Sequence, residues 1–429
     1  MFRRVVALVA GLGVLCVVPA RPLAQRRPAS CDVVGQNLYV RDVLTDLYLW
    51  YTELPDVDPA SFDSPEAYLE AVRYRPLDTS FSYITSRAAS DAFFSDSQFI
   101  GFGFSTSLSD TALRVLQVFP ASPAEDIGLR RGDSIVEING RSVAALVASG
   151  QIDSAFGPPE IGVEADIAFH RLNGALQRAH MAKRIVTIPT VSLSRVYTVD
   201  GRKVGYLFFR NFVQPSIAAL DRAFAEFNTE GITELVLDVR YNGGGLVDVA
   251  RHLASLIGAT RAEGQVFAEF FHNDKNTFRN QTVRFQATAN ALNLDRLIVI
   301  TSRASASASE LVINALRPFM PVILIGDRTY GKPVGQYTNP FCDKVLAPVA
   351  FRLRNARGEG DFFGGFAPDC AAVDDADHQL GEVGEASLGE ALTFVATGAC
   401  SARPSSPQRP YERAREHRAV SWQAVVNAY

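Results

Sequence analysis

Lysine is scarce in this chain. Of 42 basic residues in 429, five are lysine (Lys183, Lys203, Lys275, Lys332 and Lys344) and the other 37 are arginine. Arginine keeps its proton at any physiological pH, so chemistry that needs a titratable amine has five candidates. An excess of one charge is also missing. The 42 basic and 46 acidic residues give −4, which leaves no basic footprint for nucleic acid. The five cysteines include no Cys-x-x-Cys pair, and none of the six histidines stands at metal-ligand spacing from them, which argues against a zinc site. The familiar hydrolase signatures Gly-x-Ser-x-Gly, His-Glu-x-x-His and Ser-x-x-Lys do not occur. What remains is ordinary globular composition, 47% hydrophobic and 21% charged, over a length suited to two to four domains.

The chain begins with Arg3 and Arg4 ahead of an apolar run over residues 5–18, then Pro19-Ala20 and Pro22-Leu23-Ala24. A basic start, a short apolar stretch and small residues at a cut are the parts of a secretory signal, with cleavage after Ala20 or Ala24. The run is shorter than the ~18–20 apolar residues a spanning helix needs. Cleavage would remove Cys16 and leave Cys31, Cys342, Cys370 and Cys400. In an exported chain these read as up to two disulfides, with three possible connectivities.

Residues 32–97 read as mostly helical, with apolar residues at helical spacing from Leu38 to Tyr51 and a helix opened by Ser64-Pro65. Residues 99–188 change to short strands and Gly/Pro turns. There, Ser122-Pro123 opens a short helix and Asn139-Gly140 marks a hairpin turn. From residue 190 to about 400 strands and helices alternate. Three near-continuous apolar strands, residues 234–239, 297–301 and 322–326, suit a largely parallel sheet buried on both faces. Helices are expected at 246–257 and 309–316.

Sites in such sheets gather at the carboxyl ends of the strands. Each of the three strands runs into an unusual loop: Arg240-Tyr241-Asn242-Gly243-Gly244-Gly245, then Ser305-Ala306-Ser307-Ala308-Ser309-Glu310, then Thr329-Tyr330-Gly331-Lys332. Singly, each has a structural reading: a flexible turn, a capping box from Ser307 to Glu310, and a solvated lysine. Jointly they supply amide donors, a hydroxyl and an amine, the parts of acyl transfer. No histidine lies in these loops, so Lys332 is the base available to the serines. Its loop neighbours Tyr330, Gly331, Pro333, Val334 and Gly335 carry no charge, which predicts a lysine pKa lowered by desolvation to ~7–8.

These motifs resemble the C-terminal (tail-specific) processing serine proteases, peptidase family S41. The pieces fall in order. Residues 118–140 are similar to a PDZ domain of the bacterial protease-associated type. Asp-x-Arg-x-Asn-x-Gly-Gly follows at 238–245, Ser-Ala-Ser-Ala-Ser-Glu at 305–310, Tyr-Gly-Lys-x-x-x-Gln at 330–336 and Gly-Phe-Ala-Pro-Asp at 365–369. The resemblance implies a multidomain α/β chain. Its catalytic core would be crotonase/ClpP-like ββα, with an inserted PDZ domain and an N-terminal helical region. The corresponding bounds are a signal peptide at 1–24, helical region 25–98, PDZ domain 99–188, peptidase core 189–400 and tail 401–429.

By the same resemblance Ser307 is the nucleophile, Lys332 the base and Gln336 its orienting partner. Backbone amides of Gly244 and Ala308 form the oxyanion hole. Gly101, Phe102, Gly103 and Phe104 form the loop that holds a peptide carboxylate. No cofactor and no metal are implied. The partners are protein or peptide substrates with free apolar C-termini, no nucleic acid is expected, and a homo-oligomer is allowed. The location is periplasmic or secreted. Two departures stand out: Pro318 where some relatives carry an aspartate, and the bulky Phe102 and Phe104 where small aliphatics are usual. On the residues alone, an inactive PDZ-bearing scaffold and a hydrolase of non-peptide esters or amides stay open.

Overall fold

The computed structural model describes residues 27–402. The segments read as a signal peptide and, beyond its first two residues, as a tail lie outside the described residues. No described helix is long and apolar enough to cross a membrane.

The central sheet has six strands in the order Val191–Val199, Arg202–Phe209, Glu234–Asp238, Leu297–Thr301, Val322–Gly326 and Cys370–Ala371. The first pair is antiparallel and every later pair parallel. Side chains alternate across the pleat. Leu235, Leu237, Leu297 and Val299 enter one core, beneath the helices Ser216–Glu230, Val247–Ala262 and Ala308–Leu316. Val236, Ile298 and Ile300 enter another, covered by the helix Ala386–Thr397. Burial on both faces explains why these strands are apolar along their whole length.

Residues 104–182 form a separate antiparallel sheet around a core of Phe102, Phe104, Val115, Ile135 and Phe169. Its hairpin turns at Asn139 (φ +50°) and Gly140 (φ +74°), the pair of positive φ values that an Asn-Gly two-residue turn requires. The edge strand Phe104–Leu108 pairs on one side only, with Leu113–Val118.

The N-terminal region departs from the helical reading at one place that matters. It contains the helices Val33–Leu47 and Pro65–Val72, and then a strand, Tyr83–Ser86, that pairs with Lys344–Ala347. Its fully buried Val40, Leu44, Tyr48 and Leu69 share one cluster with Val334, Phe341, Leu346 and Val349 of the later chain. At about 1.5–3 kcal/mol per fully buried large apolar side chain, this cluster binds the region firmly to the loop that carries Lys332. A disulfide between Cys31 and Cys342 closes the same seam, and a second joins Cys370 to Cys400. The connectivity left open by the sequence is thereby resolved.

Candidate active site

The serine run separates by burial and hydrogen bonding. The Ser305 hydroxyl donates to the Val239 carbonyl (2.8 Å) and that of Ser309 to the Asn242 carbonyl (2.9 Å), so both pin this loop to the loop of residues 239–242. Both side chains are buried. Ser307, between them, is only half-buried and caps the helix Ala308–Leu316 at φ +55°, ψ −111°. For a residue with a Cβ this backbone costs on the order of 1–3 kcal/mol, and such strain gathers at functional positions.

Glu310 holds that conformation. Its Oε2 accepts from the Ser307 amide (2.9 Å) and from the Lys332 amide (2.8 Å). Oε1 accepts from the Gly331 amide (2.7 Å) and the Thr329 hydroxyl (2.6 Å). One buried carboxylate oxygen therefore ties together the backbones of the two predicted catalytic residues. Burial pushes the Glu310 pKa up, and the four donors pull it back. Thr329 in turn accepts from the Phe366 amide (2.7 Å) of the Gly-Phe-Ala-Pro-Asp segment.

The Lys332 amine donates to Gln336 Oε1 at 2.5 Å and lies 5.7 Å from the centre of the Phe81 ring. Gln336 Nε2 donates to the carbonyls of Phe81 (2.5 Å) and Ala347 (2.7 Å). Two acceptors on the nitrogen side fix which way the amide faces, so its oxygen meets the lysine. Burial lowers the Lys332 pKa to about 8, opposed by the charges of Asp78 and Glu310. The loop neighbours carry no charge, as the sequence shows, and the charges that act on the amine come from Asp78 and Glu310, elsewhere in the chain. Among the described residues the amine bonds to Gln336, and no Ser307–Lys332 hydrogen bond is formed.

Gly244 lies against the serine. A Cβ placed on it would come within 2.8 Å of Ser307 Cβ and 2.9 Å of the Ala308 nitrogen, and its φ is +103°. Glycine is required here both for space and for backbone conformation. Of the two amides expected to face an oxyanion, that of Ala308 opens the helix and meets no acceptor among the described residues. That of Gly244 donates to Asn242 Oδ1 (2.9 Å), so in this structure it is engaged within its own loop. Upstream, Arg240 binds Glu385 through two bonds (2.7 and 2.9 Å) and also pairs with Asp238 at 2.8 Å. The Asp-x-Arg part of the motif thus anchors the loop.

In the 104–182 unit, Phe102 and Phe104 are fully buried, each ring 5.7 Å from that of Phe156. Gly103 has φ +92°, and a Cβ there would overlap Ser122. The carbonyls of Phe102 and Gly103 accept from the Ala124 and Phe119 amides (2.8 Å each), while the amides of Phe102 and Gly103 meet no acceptor among the described residues. Gly101 belongs to the strand Gln98–Gly101, which pairs with Arg184–Thr187. The two phenylalanines therefore serve the core, and the Phe102 and Gly103 amides lie in buried residues of this loop.

Sequence reasoning missed Asp78, Phe81 and Ala347. The last two act through carbonyls, which leave no trace in residue type, and Asp78 lies in a segment without catalytic spacing.

Comparison with known proteins gives matches along three stretches of the chain. Residues 203–372 match the model of peptidase family S41, residues 35–83 the S41 N-terminal domain and residues 114–153 a PDZ domain. A carboxy-terminal-processing protease of Bartonella bacilliformis is 25% identical over 77% of this chain and 74% of its own length. The carboxy-terminal processing protease CtpB of Bacillus subtilis is 30% identical over 60% of this chain, and the chloroplastic C-terminal processing peptidase of Tetradesmus obliquus is 29% identical over 51%. The chain spans about half the length of the last two, 52% and 47%. A crystal structure of a putative S41 protease from Bacteroides fragilis superposes with TM-score 0.67 at 28% identity, over 83% of this chain and 96% of that one. The fold also matches a photosystem II D1 C-terminal processing protease (TM-score 0.50, 22% identity, 78% of this chain and 92% of that one). With the three matches in the order of the three structural units, and relatives named as carboxy-terminal processing proteases, the chain is a PDZ-bearing member of peptidase family S41.

Proposed function

We propose that the chain is an exported serine endopeptidase that cleaves proteins near their C-termini with a Ser307–Lys332 dyad. The observation that carries this is the single Glu310 oxygen shared by the Ser307 and Lys332 backbones, beside an amine whose pKa is lowered to about 8. At pH 7.4 such an amine is neutral in about one molecule in five, against about one in a thousand at the reference value. Ser307 Oγ attacks the scissile carbonyl carbon while its proton passes to Lys332 Nζ. Gln336 holds the amine without adding an ionic partner. The oxyanion meets the Ala308 amide, and the Gly244 amide once it leaves Asn242. Lys332 then returns the proton to the departing amine, which leaves an acyl-serine. Water, deprotonated by the same amine, releases the acid.

The core, residues 189–400, is read as crotonase/ClpP-like, with residues 25–98 and 99–188 as the N-terminal and PDZ domains. The one-sided strand Phe104–Leu108 suits an added peptide strand, whose terminal carboxylate would come to the Gly101–Phe104 loop, where the buried Phe102 and Gly103 amides meet no acceptor among the described residues. Two disulfides suit a periplasmic or secreted location. A fluorophosphonate probe tests the reading: mass mapping should find the label on Ser307. Label on another serine, or none, would overturn it.

A further inference from the structure

The base is completed by a part of the chain that carries no catalytic motif. The segment of residues 78–82 in the N-terminal region turns back over Lys332, and Asp78 organises the turn. Asp78 is buried. Its Oδ1 accepts from the amides of Phe81 (2.8 Å) and Ser82 (3.0 Å), and its Oδ2 from the hydroxyls of Tyr48 (2.9 Å) and Ser82 (2.5 Å). Ser82 Oγ then accepts from the Val349 amide (2.9 Å), which links the turn to the strand Val349–Arg354. Next in the turn, Ser80 Oγ and the Tyr330 hydroxyl are 2.9 Å apart, beside the lysine loop. The product of this arrangement is the placement of the Phe81 carbonyl, one of the two acceptors that fix the amide of Gln336.

We propose that Asp78 is a positioning residue of the catalytic site: by holding the 78–82 turn it sets the Phe81 carbonyl, hence the orientation of Gln336 and the aim of the Lys332 amine. This rests on the dyad reading above and extends it to the N-terminal region. A second consequence follows from charge. The charged groups acting on the amine are Asp78 from the turn and Glu310 from the helix Ala308–Leu316, and both stabilise its protonated form. Gln336, Phe81 and Tyr330 around it add no charge. The Tyr48 phenol, whose pKa is pushed far up by burial and by Asp78, stays protonated as a donor.

Asp78→Asn separates these roles. Asparagine keeps an oxygen for the Phe81 and Ser82 amides but removes the charge and places an amide nitrogen against two hydroxyls. The rate of fluorophosphonate labelling of Ser307, followed from pH 6 to 10, should fall about tenfold at its plateau. Its midpoint should move to lower pH by roughly 0.5–1 unit. A residue that is merely structural would reduce the rate or the stability and leave the midpoint in place, and that result overturns the proposal. Ser82→Ala keeps the charge and weakens the turn and its link to Val349, so labelling should slow about 3- to 10-fold with an unmoved midpoint. If Asp78→Asn does not fold, Ser82→Ala decides, and labelling at the wild-type rate overturns the proposal. Absence of label in the wild-type chain would overturn the dyad reading and this proposal together. A labelled wild type with an indifferent Asp78→Asn overturns this proposal alone.

Discussion

Replacing Glu310 with glutamine tests whether one carboxylate holds the nucleophile and base loops together. The side chain keeps its size but exchanges one acceptor oxygen for an NH2 group. With that group on the Oε2 side, the Ser307 and Lys332 amides lose their acceptor. On the Oε1 side, the Gly331 amide and the Thr329 hydroxyl lose theirs. Either orientation breaks two bonds to a buried, ionised acceptor. Each buried donor left unpaired costs about 1–3 kcal/mol, so the variant should lose about 2–6 kcal/mol of a total of about 5–15. Urea unfolding followed by circular dichroism, in a Ser307→Ala background that prevents self-cleavage, measures the loss. In the active background, turnover should fall at least a hundredfold, because one orientation frees the Ser307 and Lys332 backbones and the other frees the lysine loop at Thr329 and Gly331. A stability change below about 0.5 kcal/mol, or near-normal turnover, would refute the argument that Glu310 ties the loops.

Three further outcomes are expected. Gly244→Ala should leave the chain folded but reduce peptide cleavage at least a hundredfold, since the added methyl would meet Ser307 Cβ at 2.8 Å; a variant with normal cleavage contradicts that packing. Intact mass of the exported protein should show no free thiol among Cys31, Cys342, Cys370 and Cys400 until it is reduced. Each bridge lost should cost about 2–4 kcal/mol in unfolding experiments, and four alkylatable thiols in the native protein would contradict the pairing. The Ser307→Ala chain should bind a peptide with a free apolar C-terminus about tenfold more tightly than its amide, because the carboxylate forms charge-assisted bonds with the loop amides. Equal affinity for acid and amide would rule out the Phe102–Gly103 amides as its receptor.

Much of the fold was legible because its signals are local. Strands buried on both faces announce themselves by unbroken apolar runs, as at Leu297–Thr301. Ser64 and Ser122 are helix caps in the structure as the Ser-Pro pairs imply. The strand Tyr83–Ser86 was read as part of a helical region because its pairing partner lies some 260 residues later, at Lys344–Ala347, and nothing in four residues reveals that. In the site, residue type pointed to the serine run and Lys332, and the family resemblance to Ser307 within that run; the structure adds that the hydroxyls of Ser305 and Ser309 are engaged by the carbonyls of Val239 and Asn242. Contributions made by backbone carbonyls, such as those of Phe81 and Ala347 on Gln336, are invisible to any reading of side chains. So is the capture of the Gly244 amide by Asn242, which depends on loop geometry rather than composition.

The central claim is that a lysine, its pKa lowered by burial to about 8 so that a substantial fraction is neutral near physiological pH, activates Ser307. Its most direct test is kcat/KM for cleavage of a peptide from pH 6 to 10, in the wild type and in Lys332→Arg. Because the neutral amine is the active form, the wild-type value should rise with pH through a midpoint near the Lys332 pKa of about 8 and then level off. Lys332→Arg should be as inactive as Lys332→Ala at every pH, since guanidinium does not surrender its proton in this range. A wild-type profile flat across pH 8, or measurable turnover in Lys332→Arg, would contradict the account.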